Sequence, residues 1–266
     1  MPGPTIFAMG GGGFLTEPAD AALERYVLQL AEPAEPQICF LPTASGEPQG
    51  SIVRFHAAFD PLPCRPSALD LFRLDGLDLD LHEHLLGQDI VYVGGGSMRN
   101  MLAIWHEHGL DRILPEAWER GVVLCGLSAG SMCWFRHGIT KSGGPLELVP
   151  GLGLLPASNS VHWTAEPDRR VAYLDAVAAG LEPGWGVDDG AGLRFAGTEL
   201  VEAVSARPEA GAYRVQRRNG GAAAHAIPVR HLDAPDSGIK VPPPEVAELR
   251  ELRELRAARR GGRLRA

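Results

Sequence analysis

A serine sits at the centre of residues 122–135, VVLCGLSAGSMCWF, inside the pentapeptide Gly126-Leu127-Ser128-Ala129-Gly130. The pentapeptide fits G-x-S-x-G, the pattern of a nucleophile elbow between a strand and a helix. The apolar run Val122-Val123-Leu124-Cys125 lies between Gly121 and Gly126 and reads as a buried strand. Ser131-Met132-Cys133-Trp134-Phe135 then reads as the first turns of a buried helix. Such a turn holds a hydroxyl clear of the backbone, and the helix behind it offers free N–H groups and a positive dipole end to a developing oxyanion. Gly126 and Gly130 keep side chains out of the bend. In a chain with 33 glycines the pentapeptide alone carries little; the strand before it and the small residues after it single it out.

Other residues with chemical potential read differently. His82 and His84 flank Glu83, but that triplet lacks metal-ligand spacing on a helix and reads as a solvated face. Cys39, Cys64, Cys125 and Cys133 form no CxxC pair, so neither a zinc site nor a disulfide framework is expected. The glycine run at residues 10–13 follows a short apolar strand at residues 5–9. It has no useful GxGxxG spacing and no P-loop lysine, and it reads as close backbone packing beside an active site rather than a phosphate cradle. A second run, Gly94-Gly95-Gly96, follows the apolar strand Ile90-Val91-Tyr92-Val93.

These stretches need a scaffold, and the periodicity supplies one. Buried strands are expected at residues 5–9, 38–41, 68–72, 90–93 and 122–125, and helices at 18–30, 49–59, 98–108 and 110–120. Apolar strands alternating with helices specify an α/β fold with a mostly parallel sheet and helices on both faces. In such sheets sites lie beyond the carboxyl ends of the strands, where both glycine runs and Ser128 fall. Residues 141–153 read as a loop and residues 166–179 as a helix. Residues 193–196, 200–205 and 213–216 read as hairpin strands that extend the sheet in antiparallel fashion. The α/β domain is expected to occupy residues 1–235. A Pro-rich linker at Pro242-Pro243-Pro244 and a basic tail or helix fill residues 236–266.

Composition bounds the function. The 266 residues are enough for one large domain, and 45% hydrophobic content suits a globular protein. A formal charge of −8 argues against nucleic acid as a partner. Only two lysines occur, Lys141 and Lys240. No signal-peptide core and no run of about 18 apolar residues is present, so no membrane association is expected and a cytoplasmic location is.

Three of these segments together, GLSAGSMCW, YVGGGSMRN and NSVHW, resemble the peptidase E family of serine peptidases. That family includes aspartyl dipeptidases and cyanophycinases and has a class I glutamine amidotransferase-like fold. The resemblance spans residues 5–235. It implies Ser128 as nucleophile and His162, 34 residues on, as base. It also implies an oxyanion hole made by the N–H of Ala129 with that of Gly95 or Gly96. A hydroxyl needs a base within hydrogen-bond reach, and histidine suits neutral pH.

The chain departs from the family in two places. Where the family carries an acid after the nucleophile helix, the text here is Thr140-Lys141-Ser142; Ser97 stands where the family often has Asn. An orienting carboxylate must then come from Glu147, Asp188 or Asp189, or the site is a dyad. Arg169 and Arg170 follow the histidine segment, either as a contact for a substrate carboxylate or as part of a solvated helix face. The expectation is a serine peptidase acting on short peptides, as a dipeptidase in the family's manner, with no metal or organic cofactor, as a monomer or homodimer. Two rival readings are a binding protein on the same scaffold and a serine-dependent amidase or esterase.

Overall fold

A computed structural model of the chain describes residues 3–15, 21–74, 79–142, 144–218 and 220–232. The tail expected from residue 236 and the start of the helix expected from residue 18 lie outside them. In chain order the elements are β1 (Thr5–Met9), α1 (Ala22–Leu28), β2 (Gln37–Leu41), α2 (Gln49–Phe59), β3 (Arg65–Ala68), α3 (Leu81–Leu86) and β4 (Ile90–Val93). Next come α4 (Met98–His108), α5 (Leu110–Glu119), β5 (Val123–Leu127), α6 (Ala129–Met132), β6 (Phe135–Thr140), β7 (Glu147–Pro150), β8 (Leu155–Val161) and α7 (Pro167–Ala179). The last strands are β9 (Gly184–Val187), β10 (Ala191–Ala196), β11 (Glu199–Ser205), β12 (Ala212–Arg218), β13 (Gly221–Ala226) and β14 (Arg230–His231).

The strands form two sheets. The larger has eight, in the order β14-β11-β10-β1-β5-β4-β2-β3, and β1, β5, β4, β2 and β3 run parallel. Its central strands are buried along their length, because helices cover both faces. The smaller has six, in the order β13-β12-β9-β8-β6-β7. Here β6, β8 and β9 are parallel and the outer strands antiparallel.

The hairpin segments therefore divide. β10 and β11 extend the large sheet in antiparallel fashion, whereas β12 belongs to the small one. Alternation marks a strand but carries no information about which sheet it joins. Three other elements differ from the sequence reading. The strand expected at residues 68–72 is β3, three residues earlier at its start, and Leu71–Arg73 forms a 3-10 turn. Pro66 masks the strand in the sequence and is tolerated because β3 is an edge. The helix after Ser128 stops at Met132, and Phe135 opens β6. Short apolar runs do not distinguish helix from strand. The loop expected at residues 141–153 contains the edge strand β7.

Packing on the two faces of the large sheet differs in kind. One face is aromatic: Phe40 and Phe55 stack at 4.8 Å, with Phe14 and Tyr92 edge-on to Phe40 and Phe59 tilted on Phe55 at 4.6 Å. On the other, Trp105 of α4 meets Trp134 at 6.2 Å. No helix among the described residues is long and apolar enough to cross a membrane.

Phe55 and Val53 share α2 but face opposite ways, 0% and 56% exposed. Phe55→Ala is expected to lower unfolding free energy by about 3–5 kcal/mol. Val53→Ala is expected to change it by no more than about 0.5 kcal/mol. Chemical denaturation midpoints of the two variants check both values.

Candidate active site

The carboxyl ends of β1, β2, β4 and β5 meet on one edge of the large sheet, and Ser128 leaves β5 there. Its backbone is strained, with φ 54° and ψ −112°. Three contacts hold the bend. Ser128 N–H donates to the Met9 carbonyl at 3.2 Å, and its own carbonyl accepts from Ser131 and Met132 at 3.0 Å. A Cβ on Gly126 would lie 2.5 Å from the Gly130 carbonyl oxygen, and one on Gly130 would lie 2.3 Å from that of Val93. Both glycines are thus required by contact with neighbouring backbone.

His162 comes from the small sheet. β8 ends at Val161, opposite Val187 at the end of β9, so His162 and the pair Asp188-Asp189 leave neighbouring parallel strands at the same level. His162 also has positive φ, 54°. Trp163 anchors the position: it is 2% exposed, stacks on Tyr213 at 5.6 Å and lies over Gly186, where a Cβ would come within 2.4 Å of its ring. Its N–H donates to the Val187 carbonyl at 3.2 Å.

The two sheets bring the groups together. Ser128 Oγ lies 3.0 Å from His162 Nε2, and His162 Nδ1 lies 2.5 Å from Asp189 Oδ1. With Nδ1–H donating to the carboxylate, Nε2 keeps its lone pair for the serine hydroxyl. His162 and Asp189 side chains are 24% and 29% exposed, sheltered yet reachable.

The other two candidate acids are engaged elsewhere. Asp188 accepts from Thr164 N–H at 2.8 Å and Gly211 N–H at 2.9 Å, so it ties down the segment that carries His162. Neighbouring residues on extended backbone project to opposite sides, which is why one of the two adjacent acids faces the imidazole and the other faces away. Glu147, on β7, is paired with Arg99 of α4.

Gly95 is the candidate oxyanion residue beside the serine: a Cβ on it would sit 3.3 Å from Ser128 Cβ and 2.8 Å from a Leu127 methyl. Gly96, with φ 139°, packs instead on the Ala44 carbonyl, 2.1 Å from where its Cβ would be. Ala129 opens α6, so its N–H has no carbonyl one turn back. Among the described residues neither the Gly95 nor the Ala129 N–H meets a backbone acceptor. Gly10, Gly11 and Gly12 pack against the Asp188–Gly190 segment, with Gly190 N–H donating to Gly11 at 2.9 Å, while Gly10 N–H donates to Ala191 of β10 at 3.0 Å. A Cβ on Gly11 would fall 2.1 Å from Asp189 Oδ1 and 2.6 Å from His162 Cε1.

Beside the histidine lies a charged trio. Lys141 Nζ is 2.8 Å from Glu166 Oε2, and Arg169, only 6% exposed, approaches the same oxygen at 3.2 Å. Burial pulls the Arg169 guanidinium below its ordinary range, and Glu166 and Asp189 oppose that shift. Arg169 is thus turned inward, unlike the solvated face weighed from the sequence, while Arg170 is half-buried. Among the described residues no group of three His, Cys, Asp or Glu side chains is placed to hold a metal.

Comparison with known proteins places the chain in a family. The profile of peptidase family S51 matches residues 6–203. The uncharacterized peptidase YgaJ of Bacillus subtilis (strain 168) is 46% identical over 228 residues, 85% of this chain and 98% of that protein. Two solved structures align at 17% identity. A peptidase from an acI-B1 actinobacterium has a TM-score of 0.65 and covers 86% of this chain and 95% of its own. A putative peptidase E protein from Listeria monocytogenes EGD-e has a TM-score of 0.55, with 75% and 97% covered. At that identity the two structures speak for the fold: α/β with a large, mostly parallel sheet, consistent with the class I glutamine amidotransferase-like architecture. With the profile match spanning most of its length and a bacterial peptidase aligned nearly end to end, the chain belongs to peptidase family S51, the peptidase E family of serine-type peptidases.

Proposed function

We propose that the protein hydrolyses short peptides through a Ser128-His162-Asp189 triad. The observation that carries this reading is the continuous chain of contacts from Ser128 Oγ through both ring nitrogens of His162 to Asp189, at 3.0 and 2.5 Å. His162 Nε2 takes the hydroxyl proton as Ser128 Oγ attacks the peptide carbonyl. The bond from carbon to nitrogen then breaks as His162 returns that proton to the leaving amine. A water repeats the sequence on the acyl-enzyme and frees the serine. Asp189 fixes the imidazole tautomer and stabilises the imidazolium. The N–H groups of Ala129 and Gly95 face the developing oxyanion.

Lys141 in place of an acid motivates the rival reading of a non-catalytic scaffold. Asp189 supplies a carboxylate from another strand, which supports the enzymatic reading. Arg169 is ion-paired with Glu166 at 3.2 Å, while its buried Nε has no hydrogen-bond partner among the described residues.

Ser128→Ala is expected to abolish covalent labelling by a serine-directed fluorophosphonate while leaving the circular dichroism spectrum unchanged; undiminished labelling would sink the assignment. Asp189→Asn is expected to slow labelling by on the order of 10³–10⁴-fold, through the wrong tautomer. Gly11→Ala drives a methyl into the His162–Asp189 pair. It is expected to erase the downfield Nδ1 proton resonance of His162 in the NMR spectrum, and an unshifted resonance would show that the glycine contact does not govern the pair.

A further inference from the structure

Among the described residues three that are not glycine have positive φ: Ser128, His162 and Glu47, the last at 57°. Strain of this kind persists where the surroundings over-determine it, and it gathers at functional sites. Two of the three are accounted for by the triad.

Glu47 closes the turn that follows β2. Thr43–Ser45 makes one 3-10 turn, Gly46 is left-handed, and Glu47 N–H returns to the Pro42 carbonyl at 3.3 Å. The Glu47 side chain points inward and the residue is 5% exposed. Its Oε1 accepts from the Thr43 hydroxyl at 3.0 Å and its Oε2 from Phe72 N–H at 3.0 Å, so one carboxyl pins the turn to itself and to the segment after β3. The outer side of the same turn meets the oxyanion loop. The Ala44 carbonyl accepts from Ser97 N–H at 2.7 Å and occupies the space a Gly96 side chain would need. Ser97 in turn caps α4 through Asn100 N–H at 3.3 Å.

We propose that Glu47 is a positioning residue for the oxyanion loop, locking the turn whose Ala44 carbonyl sets the backbone of Gly95 and Gly96. This rests on the reading of Ser128 as a nucleophile served by that loop.

The chemistry of the carboxyl adds a pH dependence. Asp70 lies within hydrogen-bond reach of Glu47, and its Oδ1 is buried without a donor, while Oδ2 is 3.4 Å from Arg73 Nε. A proton held on Glu47 supplies the donor that Oδ1 lacks. Burial, and then the facing Asp70, push the Glu47 carboxyl up to about 7. With the folded value above the ordinary glutamate range, the stabilisation is complete below that range. It is lost as pH rises through about 7, when two carboxylates face each other. Among the described residues, the charged groups placed around Glu47 are Asp70 and, beyond it, Arg73.

The test measures the second-order rate of fluorophosphonate labelling at Ser128 across pH in the full chain, with thermal midpoints measured separately. Glu47→Ala is expected to label about tenfold to a hundredfold more slowly, the scale of a misplaced catalytic group. Glu47→Gln, a permanent donor to Asp70, is expected to match the native protein below the Glu47 titration and to lack its decline above. A folded Glu47→Ala variant labelled at the native rate overturns the inference. So does a Glu47→Gln variant with the native alkaline decline, which decides the matter even where Glu47→Ala fails to fold. Absence of labelling in the native protein overturns the peptidase reading and this inference with it.

Discussion

The architecture depends on a contact with almost no side chain in it. Gly10 and Gly11, at the end of the central strand of the large sheet, lie flat against the backbone of Asp188, Asp189 and Gly190 at the edge of the small one. One backbone hydrogen bond crosses the seam, Gly190 to Gly11, while Gly10 to Ala191 continues the pairing of β1 with β10 inside the large sheet. Ser128 is anchored to the same place through the Met9 carbonyl. Ser128 is thereby referred to one sheet and the His162–Asp189 pair to the other, with no room for a methyl on Gly11 beside that pair. Packed backbone resists small displacements, which suits a relay whose groups must hold hydrogen-bond distance.

Strain marks the same region. Ser128 and His162 both carry backbone conformations unfavourable for their residue types, each at the first position past a parallel strand. The cost is met by what surrounds them: the glycine-lined bend at Ser128, and at His162 the buried Trp163 with the Asp188 carboxylate clasping Thr164 and Gly211. Asp188 thus serves the histidine without touching it.

Much of this was legible in the sequence, for identifiable reasons. Apolar strands with no alternation and glycine runs at their ends reveal a parallel sheet and the edge where chemistry sits, because burial on both faces leaves that mark. Ser128 was legible because an elbow needs small residues at fixed offsets. His162 was not legible from its own surroundings; a lone histidine beside a tryptophan has no pattern, and the family's segment supplied it. The choice among Glu147, Asp188 and Asp189 required coordinates, since it turns on which of two adjacent side chains faces a ring from a neighbouring strand. The second sheet left no signal either: its strands alternate like edge strands of the first, and only the register of β12 on β9 separates them. Lys141 left the choice of acid open, because an acid can reach the same imidazole from a different strand.

The order in which the pieces leave the ribosome follows from where they lie. Synthesis runs from the amino terminus and a domain folds as a unit, so Ser128 is made well before His162, Asp189 and the strand at Ala191–Ala196 that flanks β1. A nascent chain that ends before residue 162 carries the elbow without the imidazole that lies 3.0 Å from Ser128 Oγ. The contact of Ser128 with His162 and Asp189 draws on both sheets, so it can form only after residue 189 has been made.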